Sequence, residues 1–277
     1  MLKQVQYDKS KHMKGIILSG GTATRLFPLT ATTSKQLLPI YDRQMIFYPL
    51  NTLIKAGIKD ILIIVAPEHS GQYLNLLGSI FEDYDIHIEF KVQKVPKGLA
   101  EAFVLGEDFM DNGSVAMILG DNIFEDDFSE EIKNFKSGGL IFAKKVSDPE
   151  RFGVVKFNEN SKAVEIVEKP KEWISDFAIP GLYIYDNRVC EVAKNVQPSE
   201  RGEREITSLH NFYLEKGELE VSTFSGAWLD AGTFDTLLEA GNVVKERKIN
   251  EKFDPIVDKA IAEFNEELKA MAKKKLM

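Results

Sequence analysis

One cysteine, two tryptophans and four histidines in 277 residues leave several chemistries without material. A single thiol, Cys190, cannot form an internal disulfide and fits a reducing compartment. It stands among Val189, Val192, Ala193 and Val196, the spacing of a packed helix face. The histidines, His12, His69, His87 and His210, are scattered without metal-ligand spacing. His210 falls in a helical stretch and reads as a packing or surface residue. Basic residues are in deficit, 35 Lys plus Arg against 43 Asp plus Glu, so the net charge is −8. That balance excludes a broad face for nucleic-acid phosphates. No apolar run approaches the ~20 residues of a membrane span. The N-terminus has no signal-peptide core. No Ser/His/Asp order with a nucleophile elbow appears, so a covalent intermediate has no support. The expectation is a cytoplasmic protein with neither nucleic-acid nor membrane partners.

What is present is ordinary globular material, 44% hydrophobic and 28% charged. This length makes one large domain or two small ones. Residues 1–12 are polar and aperiodic and read as an extension outside the fold. From residue 13 strands and helices alternate. Gly15–Ser19 and Asp60–Ala66 are continuous apolar runs, the mark of buried parallel strands. Residues 44–56, 69–81 and Leu99–Met110 read as helices, Ile86–Val92 and Val115–Leu119 as strands. This alternation predicts an α/β fold, a Rossmann-like, mostly parallel sheet with helices on both faces. Past residue 140 the texture becomes strand-rich, at Leu140–Val146, Val154–Phe157, Ala163–Val167, Ala178–Tyr185 and Glu218–Phe224, with helices at 187–196 and 205–216. An antiparallel annex on one shared core is expected, so 13–250 reads as one domain. The tail, 251–277, is helical from Pro255. Val257, Ile261, Phe264, Leu268 and Met271 recur at spacings of four and three. That stripe is short for a coiled coil and suits packing on its own domain as well as a subunit contact.

The first strand runs into Ser19-Gly20-Gly21-Thr22-Ala23-Thr24-Arg25. Glycines after a buried strand let the backbone turn tightly and present N–H groups to an anion. The dinucleotide pattern G-x-G-x-x-G fails at Thr22, and the G-x-x-x-x-G-K-[ST] phosphate loop fails for want of a following Lys-Ser/Thr. The loop between this strand and the helix near residue 44 is long enough to suggest a function. It carries Arg25 and Lys35. Arg offers a fork to non-bridging oxygens, and Lys offers a mobile point charge. Together they read as a polyphosphate cradle, next to the strand ends where ligands of such sheets bind.

Gly20-Gly21-Thr22-Ala23-Thr24-Arg25-Leu26, Pro28, Thr30 and Lys35-Gln36-Leu37-Leu38-Pro39 resemble the signature of sugar-1-phosphate nucleotidylyltransferases. The Lys-Gln-Leu-Leu-Pro form is most similar to that of the glucose-1-phosphate thymidylyltransferases. Gln93, Gly98-Leu99-Ala100-Glu101-Ala102, Leu119-Gly120-Asp121-Asn122, Phe152-Gly153-Val154-Val155, Glu168-Lys169-Pro170, Gly181-Leu182-Tyr183, Gly202-Glu203-Arg204-Glu205-Ile206-Thr207 and Trp228-Leu229-Asp230-Ala231-Gly232-Thr233 follow in the same order, covering roughly residues 13–245.

The resemblance implies a nucleotidyl transfer from dTTP to glucose 1-phosphate, releasing pyrophosphate by single displacement. It implies Mg²⁺ held by Asp121 and Asp230. Arg25 would hold the triphosphate and Lys35 would neutralise charge at the reacting phosphates. Gly20, Gly21, Thr22, Gln36, Gln93 and Gly98 would complete the nucleotide side, Gln93 and Gly98 reading the base. Lys169 would bind the sugar phosphate, and Asn122, Gly153, Glu168 and Trp228 would line the sugar. The family is commonly homo-oligomeric. The same chemistry with UTP, and a noncatalytic nucleotide-sugar-binding regulator on this fold, are the alternatives; a nicotinamide oxidoreductase is disfavoured by the failed fingerprint. The chain departs from the family at Ala23, where Gly is usual, at Pro180 and at Ala231, where Thr is common. The long-form regulatory segment is not recognisable after residue 248.

Overall fold

The computed structural model describes residues 12–21 and 23–275, so Thr22 and most of the N-terminal extension lie outside the described residues. In chain order the chain forms β1 (Lys14–Ser19), the hairpin β2 (Pro39–Ile40) and β3 (Arg43–Gln44), α1 (Phe47–Lys55), β4 (Asp60–Val65), α2 (Ser70–Leu77) and β5 (His87–Val92). Then come α3 (Glu101–Leu105), α4 (Glu107–Met110), β6 (Val115–Leu119), β7 (Asn122–Phe124), α5 (Ser129–Asn134) and β8 (Gly139–Lys145). The strand-rich stretch is β9 (Gly153–Phe157), β10 (Ala163–Glu168), β11 (Phe177–Ile179) and β12 (Leu182–Tyr185). It is followed by α6 (Val189–Asn195), α7 (Ile206–Glu215), β13 (Leu219–Thr223), β14 (Trp228–Asp230), α8 (Phe234–Arg247) and α9 (Pro255–Lys275). The result is mixed α/β with a large, mostly parallel central sheet. Among the described residues no helix is long and apolar enough to cross a membrane.

The chain divides into two compact units whose segments interleave, a finer division than one domain over 13–250. One comprises residues up to Ile16, Lys97–Met117 and Phe135–Thr223. Its strands run in the order β10-β9-β11-β8-β12-β6. β10 pairs with β9, β9 with β11, and β8 with both β11 and β12, all antiparallel. This is the expected annex, with one difference. β13 joins β8 in parallel, because α6 and α7 lie between β12 and β13 and return the chain to the same end. The stretch 178–185 is two strands, since Pro180 has no N–H for a ladder and Gly181 follows it. Likewise 99–110 is two helices broken at Gly106. Cys190 is buried in α6, where burial pushes its thiol up to about 11. His210 is buried in α7, its Nδ1 2.6 Å from the Tyr185 hydroxyl. Burial pushes its imidazole down to about 3, so it packs as a neutral ring.

The other unit comprises Ile17–Pro96, Ile118–Asn134 and the chain from Phe224. Here the order is β6-β1-β4-β5, with β4 and β5 parallel. β4 is Asp60-Ile-Leu-Ile-Ile-Val65, buried from Ile61 onward, as the continuous apolar run predicts. α1 buries Phe47, Tyr48, Leu50, Leu53 and Ile54 and stops at Gly57, whose φ of 84° few other residues adopt. α8 opens with a capping box in which Thr233 and Thr236 satisfy each other's backbone N–H groups.

Candidate active site

In the second unit β1 delivers Gly20 to a tight place. A Cβ on Gly20 would stand 2.6 Å from Gln93 Oε1, so the Gln93 amide lies directly against the glycine turn. Gln93 is itself buried, at the end of β5, where its N–H donates to Val65 O at 2.9 Å. Gly21 is exposed and open around its Cβ position. Ala23 has φ 46° and ψ 36°, a left-handed conformation on a residue that carries a Cβ. Its carbonyl accepts from Leu26 N–H at 3.1 Å and from Thr30 Oγ1 at 3.0 Å, which pins the turn. The following 3-10 turn, Thr24–Leu26, buries Leu26 and leaves Arg25 exposed. The Arg25 guanidinium reaches Gly232: a Cβ there would be 2.9 Å from Arg25 Nη2 and 3.3 Å from Asp230 Oδ1.

Asn122 and Asp230 come together through a short ladder that shows no period of its own in the sequence. β7 pairs antiparallel with β14, with Asn122 opposite Asp230. Asp121 immediately precedes Asn122 in the chain. Trp228 Nε1 donates to Asn122 Oδ1 at 2.7 Å, and Asn122 Nδ2 donates to Asp121 Oδ1 at 3.2 Å. At the far end of the ladder Glu125 accepts from Ala227 N–H, Arg247 and Lys252 at 2.9, 2.8 and 3.1 Å. These contacts, the Ala227 N–H foremost, hold its carboxyl down to about 2. Asp126 accepts from Gly226 N–H at 2.6 Å. The ladder is thus tied at both ends.

Lys35 forms an ion pair with Asp121. Burial alone would raise the Asp121 carboxyl, but the Lys35 charge and hydrogen bond, with the Asn122 amide, hold it below the usual carboxylate range. It is therefore ionised at neutral pH, as a metal ligand must be. Among the described residues no group of three or more His, Cys, Asp or Glu is placed to hold a metal. Two carboxylates fit Mg²⁺, which typically takes one or two from protein and completes its shell with phosphate oxygens and water. Gln36 is placed differently from expectation. It is buried, and its Oε1 accepts from Ser34 Oγ at 2.7 Å and Tyr73 OH at 3.3 Å. A Cβ on Gly120 would meet Gln36 Cγ at 2.9 Å. Gln36 therefore braces the cradle from beneath.

In the first unit Gly98 has φ 98°, and its would-be Cβ lies 2.4–2.8 Å from the Arg204 backbone. Arg204 N–H donates to Lys97 O at 2.7 Å, and Ala100 N–H to Arg204 O at 3.2 Å. The turn is locked by main chain. Gly153 pairs with Glu168 across β9 and β10. A Cβ there would be 3.1 Å from Thr207 Cγ2 and 3.5 Å from Glu168 Oε2. Lys169 has φ 44°, and its N–H donates to Phe152 O at 2.9 Å. Its Nζ lies 3.8 Å from Glu168 Oε1 and is half exposed. Burial raises the Glu168 carboxyl, opposed by the Lys169 charge and reinforced by Glu205. Arg201 carried no role in the sequence reading. Its Nη2 stands 3.9 Å from Glu168 Oε1, 2.9 Å from Glu205 and 3.1 Å from Glu203. In sequence it looks like one cation in a solvated run with three glutamates; only the fold brings it to Glu168.

Each unit by itself offers groups for anions: the second a glycine turn, Arg25, Lys35 and the carboxylates of Asp121 and Asp230, the first Lys169 and Arg201 next to the half-buried Glu168. The model of the nucleotidyl transferase family matches residues 14–247. A glucose-1-phosphate thymidylyltransferase of Neisseria meningitidis is 51% identical over 239 residues, covering 84% of this chain and 83% of the relative. One from Mycolicibacterium smegmatis is 47% identical, covering 84% and 82%. A Bacillus anthracis crystal structure named for the same activity, in complex with sucrose, is 41% identical with a TM-score of 0.81, covering 89% and 99%. A UDP-glucose pyrophosphorylase structure complexed with UDP-glucose shares the fold at 22% identity and a TM-score of 0.73, covering 85% and 100%.

Proposed function

The chain belongs to the nucleotidyl transferase family, and from that premise we infer that it transfers a thymidylyl group from dTTP to glucose 1-phosphate, giving dTDP-glucose and pyrophosphate. The observation that carries this reading is the Lys35–Asp121 ion pair, with Asn122, the residue after Asp121, paired to Asp230 in the β7–β14 ladder. A cation and carboxylates of this kind support a site for a triphosphate and its metal. An oxygen of the sugar phosphate attacks the α-phosphorus as pyrophosphate departs in line. Both substrates are anions, so the protein's task is positioning and charge neutralisation.

Arg25 holds the β- and γ-phosphates and steadies the departing pyrophosphate. Lys35 neutralises charge at the α-phosphate and keeps Asp121 ionised. Asp121 and Asp230 hold Mg²⁺, which when bound supplies charge neutralisation at the phosphoryl oxygens. Gln93 presents its amide to the imide edge of the base, against the Gly20–Gly21 turn, and Gly98 brings main chain to the same base. Lys169 and Arg201 receive the sugar phosphate. Glu168 accepts from sugar hydroxyls, with Gly153 keeping the wall next to it flat. Asn122 and Trp228 act as a brace for Asp121 and as sugar-side groups. The substrates and the one buried thiol suit a reducing, cytoplasmic setting.

The test is pyrophosphate release with glucose 1-phosphate, Mg²⁺ and each of dTTP, UTP, CTP, ATP and GTP. Release is expected with dTTP foremost. Silence with dTTP across a panel of sugar 1-phosphates refutes the assignment; release with UTP alone moves it to the uridylyl reaction.

A further inference from the structure

Lys35 pairs with Asp121, yet a lysine is a point charge on a flexible four-carbon stem and has to be aimed. Its two neighbours in the chain are fixed from one point. Ser34 and Gln36 are both buried. Ser34 Oγ donates to Gln36 Oε1 at 2.7 Å and lies 2.9 Å from the Tyr73 hydroxyl, which is 3.3 Å from Gln36 Oε1. The three side chains close a triangle beneath the 3-10 turn Lys35–Leu37. Ser34 stands at the N-cap of that turn, but its hydroxyl makes no cap bond and is spent on the triangle instead. Tyr73 is wholly buried in α2, and burial pushes its phenol up to about 12, so it stays a protonated donor. The residue before it, Gln72, holds the same loop one step earlier. Its Nε2 donates to Thr32 O at 2.7 Å, and its Oε1 accepts from Thr33 Oγ1 at 3.1 Å. Successive residues of a 3-10 turn lie ~120° apart, so with Ser34 and Gln36 drawn inward Lys35 is left facing Asp121.

We propose that Tyr73 is a positioning residue: its hydroxyl, through Ser34 and Gln36, fixes the turn on both sides of Lys35 and so aims the Lys35 ammonium at Asp121. A phenylalanine ring would fill the same space. The hydroxyl costs desolvation and adds little volume, so its contribution is what it holds. The triangle also reaches the other member of the ion pair. A Cβ on Gly120, the residue before Asp121, would stand 2.9 Å from Gln36 Cγ, so Gln36 packs directly on the chain that carries Asp121. The kinetic consequence rests on the proposed thymidylyl transfer; the placement of Lys35 does not. Charge neutralisation by Lys35 matters most where charge grows, in the transition state, so a loosened Lys35 costs turnover more than nucleotide binding.

The experiment uses the full chain as wild type, Tyr73→Phe, Ser34→Ala and the double variant, each with far-UV circular dichroism as a check on the fold. Lys35 is labelled in the resting protein with trace acetic anhydride and read by peptide mass spectrometry, against Lys162, an exposed lysine between β9 and β10. Labelling of Lys35 is expected to rise about threefold or more in each single variant, the worth of one neutral hydrogen bond. In pyrophosphate release, kcat should fall about 3- to 10-fold with KM for dTTP within about twofold of wild type. The double variant should lose no more than the worse single one, since the hydroxyls act as one unit. Unchanged labelling of Lys35 overturns the proposal whether or not the protein turns over dTTP. So does an unchanged kcat, a loss confined to KM, or losses that multiply in the double variant. A wild type silent with every nucleotide, whose Lys35 labelling still rises in the variants, removes the proposed reaction and supports the role of Tyr73.

Discussion

Gly20→Ala separates the site's function from its stability. The new Cβ would stand 2.6 Å from Gln93 Oε1 and 3.7 Å from Gln93 Cβ, and no backbone atom is among its near neighbours. Gly20 is not among the residues with positive φ, so the backbone accepts alanine there. The neighbour that must move is the far end of a side chain. The stability effect should therefore be small, within about 1 kcal/mol, and in part favourable because alanine restricts the unfolded chain. The functional effect is different. The Gln93 amide must swing from the place where it would meet the base, losing one neutral hydrogen bond of about 0.5–1.5 kcal/mol. That corresponds to a KM for dTTP raised about 2- to 10-fold, with kcat changed less, since the contact is the same in ground and transition states. Initial rates of pyrophosphate release across dTTP concentrations, with a urea melt of the same sample, read both quantities. A KM within 1.5-fold of wild type at unchanged stability would refute Gln93 as a base-reading group.

Other expectations follow from the same geometry. Gly98→Ala puts a Cβ 2.4–2.8 Å from the Arg204 main chain at a φ of 98°; neither side can yield, and urea unfolding should show a loss of about 2–4 kcal/mol from strain and overpacking. Asp121→Asn and Asp230→Asn should each lower kcat about 10²- to 10³-fold with the fold intact by circular dichroism, and weaken Mn²⁺ binding measured by electron spin resonance; near-wild-type values in both would remove the metal assignment. Lys35→Met removes the charge that opposes burial at Asp121, so the Asp121 carboxyl rises. As the pH falls, the ionised ligand is then lost at a higher pH, and the acid limb of kcat/KM should move up; an unmoved limb would mean that Lys35 does not control Asp121. Ala23→Gly relieves a left-handed alanine at φ 46°, and stopped assays should find turnover equal to wild type or higher. A large loss would show that the loop depends on the alanine's restriction.

The parts of this protein legible in sequence are those with local causes. β1 and β4 are unbroken apolar runs, α1 ends at a glycine that must take a positive φ, and α9 carries a clear helical stripe. The glycine turn itself has a local cause too, since it follows directly on the buried run of β1. The harder parts depend on long-range pairing. β7 and β14 are three residues each and lie far apart in the chain, so neither shows a period of its own; yet their ladder brings Asn122 opposite Asp230. α8 was not anticipated because it buries little beyond Ala240 and Val244, and its start is marked only by the Thr233–Thr236 box. The resemblance implies Gln36 on the nucleotide side, whereas the 3-10 turn over Lys35–Leu37 buries it against Ser34 and Tyr73. Arg201 escaped notice since a cation among glutamates is usually a solvated surface. Its nearness to Glu168 arises only when β10 and the segment before α7 are folded together.

The account's central claim is a one-step transfer from dTTP to glucose 1-phosphate. It is tested most directly with dTTP made chiral at the α-phosphorus by one sulfur. The product should be the dTDP-glucose analogue, formed one-to-one with pyrophosphate and inverted at phosphorus. Retention would show two displacements through a nucleotidyl-enzyme, and absence of the sugar nucleotide would remove the reaction itself.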